Sequence, residues 1–226
     1  MSGMPMHGGW MMSMTWMRAP GQTWPGAAFA FLAMWIAMMA AMMLPVLAPM
    51  LSRYRHAVAT SDRIRLGGLT ALVGAGYFAV WTVAGAAVFP AGAVVAAMAM
   101  DDPSMARAMP IAAGVVILVA GGIQLSAWKS RRLVCCHDAP ASAALSADAR
   151  TAWSHGLDVG IRCLRCCANL MAILLVVGVM DLRAMAIVTA AISAERLSPT
   201  GAGVARAIGA VVVAAGVVVV LAAVGS

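Results

Sequence analysis

Charge is the scarcest commodity in this sequence: of 226 residues only 15 are basic and 8 acidic, 10% together, while 63% are hydrophobic. A water-facing domain of this length cannot bury so much apolar surface behind so few charges, so lipid must serve as the solvent. Other absences narrow the chemistry. No Gly-x-Gly-x-x-Gly, Walker or His-Glu-x-x-His pattern occurs, and no repeat marks an inverted-topology transporter. The basic residues show no repeated aromatic interleaving of the kind that would suggest nucleic acid, which is rejected as a partner. Met1 to Trp24 lacks the basic start and unbroken apolar core of a secretory signal and reads as mature sequence.

What is present is a series of apolar stretches close to the roughly 20 residues that span a bilayer. They lie near 26–51, 67–89, 110–128, 163–180, 183–197 and 203–224. The fold class is therefore all-α, a polytopic transmembrane helical bundle of about six spans. It has five if 183–197, which is short and carries Glu195 near its end, stops below full depth. Pro90, followed by Ala91 to Met100, predicts an interfacial or re-entrant continuation of the second span.

Twelve of the 15 basic residues fall in or beside three connections, from Arg53 to Arg65, from Lys129 to Arg165, and at Arg196 and Arg206; only Arg18, Arg107 and Arg183 lie opposite. The positive-inside rule places those connections in the cytoplasm and the N-terminus outside, in what reads as a bacterial inner (cytoplasmic) membrane protein. Residues 1–25 then form a Met-rich external segment, with Trp10, Trp16 and Trp24 at headgroup level. Residues 26–226 form the transmembrane domain, with a cytoplasmic Cys-containing loop at 129–162.

Sulfur is abundant. Thirteen of 20 methionines lie in the first fifty residues, among them Met4 and Met6 beside His7. On the first helix Met34, Met38 and Met42 repeat at i, i+4, with Met39 and Met43 as a neighbouring row. Thioethers are soft, neutral ligands that favour Cu(I), so an external cluster and a transmembrane row can collect and pass it; Met also fills gaps between helices. All five cysteines fall on the cytoplasmic side, where thiols stay reduced. Cys163, Cys166 and Cys167 share one face of a helix. If that helix starts near Gly160, its dipole together with Arg162 and Arg165 favours the thiolate. Cys135, Cys136 and His137 can complete a soft site for Cu(I), or a tetrahedral one for Zn²⁺ as the alternative. His56 and His155 read as interfacial residues, and Glu195 as a partner of Arg196 or Arg206.

These residues resemble the family called domain of unknown function 2182, predicted metal-binding integral membrane proteins. The carriers are MWIAMMAAMMLPVLAPM at Met34 to Met50, Gln124 with Lys129, GIRCLRCC at Gly160 to Cys167, GVMDL at Gly178 to Leu182 and ERLSP at Glu195 to Pro199. Two positions depart from the family pattern: Arg132 stands where the first cysteine of a loop pair is usual, and Ala168 where an aromatic follows the double cysteine. The resemblance implies metal binding and names no reaction. The leading expectation is a membrane protein that captures, transfers or transports Cu(I). Its partners are the lipid bilayer and a copper chaperone, a cuproenzyme or other membrane subunits. A thiol or metal-dependent membrane oxidoreductase, using the vicinal cysteines, and a structural membrane subunit are the alternatives.

Overall fold

The computed structural model describes residues 3–5, 11–13, 16–18, 20–58, 62–137, 146–179, 181–198 and 200–225, with residues 3–5, 11–13 and 134–137 described by their backbone alone. Two short strands, β1 (Gly3–Pro5) and β2 (Met11–Ser13), pair antiparallel with Met4 opposite Met12. The rest of the described chain is built on helices α1 (Trp24–Ala57), α2 (Arg63–Asp101), α3 (Pro103–Leu125), α4 (Ala127–His137), α5 (Ala149–Val177), α6 (Leu182–Leu197) and α7 (Gly201–Gly225). Met6 and His7 lie outside the described residues.

The few acids are spent on helix starts. Asp62, Asp102, Asp148 and Asp181 cap α2, α3, α5 and α6, each accepting hydrogen bonds from backbone amides of the first turn, and Thr23 does the same for α1. Such caps satisfy donors that a helix cannot satisfy itself. Five helices, α1, α2, α3, α5 and α7, are long and apolar enough to cross a membrane. The sixth, α6, has 16 residues and so extends only about 24 Å.

Helix directions follow from which residues meet. Trp35 meets Trp81 and Phe31 meets Phe89, so α1 and α2 are antiparallel. The backbone of α2 meets α5 in rising order, Gly156 at Val73 and Gly160 at Tyr77, so these two run parallel. Gly114 and Gly121 of α3 press on Val220 and Val213, while Gly216 and Gly209 of α7 press on Leu118 and Leu125, an antiparallel seam of small residues at seven-residue spacing. Asn169 of α5 reaches Gln124 and Ala120 of α3, and Lys129 just beyond α3 reaches Cys166, so α3 opposes α5. Because α7 therefore runs parallel to α5, α6 must carry the chain back between them. The short helix is a return leg, and both ends of the six-leg bundle emerge on one face.

Two local expectations change. The stretch after Pro90 is no separate segment: α2 continues unbroken to Asp101. A membrane bundle tolerates the lost hydrogen bond, and Ala96 and Ala99 beyond it pack with Trp16, Met17 and Met109. The start of the supposed loop, Ala127–His137, is helix α4, laid on the bundle because Lys129 and Leu133, one turn apart, are both buried. Close helix contacts fall at Gly76, Gly121, Gly156 and Gly160, whereas Gly74 and Gly122 face open space.

Candidate functional site

The methionine row and the cysteine cluster meet in the interior. Met38, Met39, Met42 and Met43 of α1 are buried, with Met39 and Met43 fully so, and Met34 packs partly buried against the same core. That core also contains Cys163, Cys166 and Cys167 of α5, Tyr77 and Trp81 of α2, and Leu133 of α4. Cys135, Cys136 and His137 occupy the last turn of α4. Met4 lies on β1.

Geometry sorts the three cysteines of α5. Residues four apart stack along a helix, and Cys163 Sγ stands 3.9 Å from Cys167 Sγ. Two thiolates on a tetrahedral metal with bonds of about 2.3 Å are separated by about 3.8 Å, so this pair is spaced as a metal's edge. The Tyr77 hydroxyl donates to Cys163 Sγ at 3.1 Å. Cys166, a third of a turn away from Cys167, turns its backbone to another feature: its carbonyl accepts from Lys129 Nζ at 2.6 Å. Among the described residues no three His, Cys, Asp or Glu side chains are gathered as a metal site.

The expected helix-dipole effect on these thiols does not apply. α5 begins at Ala149, where the Asp148 carboxylate accepts from the Thr151 amide at 2.9 Å and its hydroxyl at 2.6 Å. Cys163 is therefore nearly four turns inside, and a terminal dipole is felt only over the first turn. What positions the thiols is close helix approach: Gly156 and Gly160 let α2 come to backbone contact, which brings Tyr77 to Cys163.

Beside the cysteines lies a polar network that sequence reading missed. Lys129 and Glu195 form an ion pair at 3.0 Å with side chains 0% and 2% exposed. Gln124 donates to Glu195, Asn169 donates to Gln124, and Lys129 also reaches Asn169 Oδ1 at 3.5 Å. The network thus ties α3, α4, α5 and α6 together. The ion pair of Glu195 is thus made with Lys129, a partner not expected of it. Arg196 is also buried and donates to Met50 Sδ at 3.5 Å, joining α6 to the methionine helix. Lys129 is the only lysine and Glu195 the only glutamate in the sequence, a signal that was available without any structure. Removing one partner of such a buried pair costs about 3–5 kcal/mol, because the other charge is left without compensation. His155, by contrast, stacks on Tyr54 with ring centroids 5.5 Å apart.

No curated protein and no solved structure matches the chain. A family model does, and it carries a copper description under the name PpoB2 rather than that of the unassigned family which the motifs resemble. The match runs from residue 32 to residue 219 and takes in the methionine row, the cysteine cluster and the buried polar network; over that span the chain belongs to the PpoB2 family, described as a copper chaperone.

Proposed function

We propose that this chain takes up Cu(I) as cargo within a bacterial cytoplasmic membrane and holds it on the paired thiolates of Cys163 and Cys167 for transfer to a partner. The observation that carries the reading is that the thioethers of Met38, Met39, Met42 and Met43 and these two thiols belong to one continuous buried core. Soft, neutral thioethers release copper to anionic thiolates, so stepwise exchange along α1 towards α5 is downhill with no energy source. The N-terminal Met4, Met6 and His7 are the collecting end of this route, Met34 its entrance, and Cys166 with Cys135, Cys136 and His137 the donors for handover. The recipient is a copper chaperone or a cuproenzyme.

The test is Cu(I) stoichiometry and retention against a competing chelator, for the full chain purified in detergent under anaerobic, reducing conditions. The wild type should bind tightly, and Cys163→Ser/Cys167→Ser should lose the tight site. Met38→Leu/Met42→Leu should keep the affinity but slow loading. Equal retention by the wild type and the double cysteine variant would sink the reading.

A further inference from the structure

A second group of thioethers lies outside the core that holds the cysteines, at the face where both ends of the bundle emerge. Trp16, Met17 and Met109 all pack on one small patch of α2, the buried methyls of Ala96 and Ala99. Those two residues are three apart and share a helix face, so the side chains resting on them are neighbours. Met17 is held there from both sides. The ring of Trp16 stacks on Phe31 with centroids 5.4 Å apart and lies against Gly92, while the guanidinium of Arg18 sits over Trp24 at 5.0 Å. Met105 precedes Met109 by one turn of α3, and both are partly buried. Long helical side chains lean towards the helix N-terminus, which lays the Met109 thioether over the turn of Met105. Two thioethers of α3 and one of the N-terminal segment thus come together.

We propose that Met17, Met105 and Met109 form a binding site for Cu(I), separate from the thiols, that clasps the N-terminal segment to the start of α3. Three neutral thioethers suit a soft monovalent ion, whereas hard cations require oxygen donors. A thioether binds without losing a proton, so loading here does not depend on the deprotonation that a cysteine site needs. The assignment deepens the copper route proposed above and rests on that reading for its cargo, but not on the thiols. It supplies a step between the collecting methionines of the N-terminus and Met34. Trp16 touches both the Ala96–Ala99 patch and Phe31, and Phe31 stands three residues before Met34 on α1. An ion on the three thioethers is therefore held beside the aromatic ring that heads the methionine row.

The test is methionine footprinting of the full chain in detergent with Ag(I), a soft monovalent ion that needs no reductant, in excess over the five cysteines. Hydrogen peroxide converts free thioethers to sulfoxides, a metal-bound sulfur is shielded, and peptide mass spectrometry reads each methionine separately. Silver should slow the oxidation of Met17, Met105 and Met109 together, while Met98 and Met100, exposed at the end of α2, oxidise as before. Met17→Leu keeps the volume and the packing. It should raise the silver concentration needed to protect Met105 and Met109 by about a hundredfold or more, the loss expected when one donor leaves a linked set. Methionines that only pack would show no such dependence. Silver that leaves any of the three as reactive as Met98 and Met100, or that protects Met105 and Met109 equally well in Met17→Leu, would overturn the inference while the dithiolate site stands. Retention of copper by Cys163→Ser/Cys167→Ser would remove the dithiolate reading and leave this footprint unchanged.

Discussion

Gly76→Ala probes the helix contact on which the thiol site depends. A Cβ at Gly76 would stand 2.7 Å from the Trp153 carbonyl oxygen, 3.1 Å from the Leu157 nitrogen and 3.2 Å from the Gly156 Cα. All three are backbone atoms, so no rotamer change relieves the clash. Carbon-to-carbonyl contacts settle at about 3.3–3.6 Å, so α2 and α5 must part by about 0.6–0.9 Å. The Tyr77 hydroxyl, next in sequence, is 3.1 Å from Cys163 Sγ. The same displacement takes that bond to about 3.7–4.0 Å and opens the seam over the thiols. Overpacking of this kind costs about 1–3 kcal/mol.

Alanine also gains about 0.5–1 kcal/mol over glycine in a helix interior, and Gly74→Ala supplies that gain alone, because nothing lies within 4 Å of its Cβ. The difference between the two variants therefore isolates the clash. At about 2–4 °C per kcal/mol for a chain of this size, Gly76→Ala should melt several degrees below Gly74→Ala. Alkylation of Cys163 and Cys167 in the folded, detergent-solubilised protein, followed by mass spectrometry, should be faster in Gly76→Ala. Equal melting and equal alkylation for the two variants would refute the described packing of α2 on α5.

Tyr77→Phe removes the hydroxyl that donates to Cys163 and should cost about 0.5–1.5 kcal/mol in thermal stability while speeding alkylation of Cys163, with little change in helix content by circular dichroism. Gly92→Ala places a Cβ in the ring of Trp16, which packs on Phe31 with centroids 5.4 Å apart; the N-terminal segment should detach, read as a red shift in tryptophan emission and earlier proteolysis before Trp24. Asp148 is held below its ordinary value of 3.8, chiefly by the Thr151 hydroxyl and amide. A lowered carboxylate contributes stability that is complete above its unfolded value and is lost as pH falls through the lowered folded one. Hydrogen exchange at the Thr151 amide should therefore show extra acid-induced opening at low pH in the wild type, and Asp148→Asn should remove that dependence.

The helices were legible because what makes them is local. Long apolar runs and sparse charge mark the helices, and the i, i+4 rows of Met on α1 and Cys on α5 follow from helix period alone. Boundaries were misread where local signals conflict with packing. Pro90 looks like a stop but is carried through α2, and the charged stretch at Lys129 looks like a loop but folds as α4. α5 starts well before Gly160 because its first turns are amphipathic rather than apolar, and a search for membrane spans passes over them.

Which residues form a centre was decided by tertiary structure. Lys129 and Glu195 are far apart in sequence, and nothing local pairs them; only the return leg α6 and the docked α4 bring them together beside Cys166. Likewise the thioethers of α1 and the thiols of α5 share no sequence neighbourhood, yet the glycine seam of α2 on α5 and the antiparallel packing of α1 on α2 place them in one core. Residue type and helical period set the donors and the faces that carry them, because both act within a few residues. The site's membership depends on helix crossings, and those depend on where backbones can approach closely enough to exclude everything else.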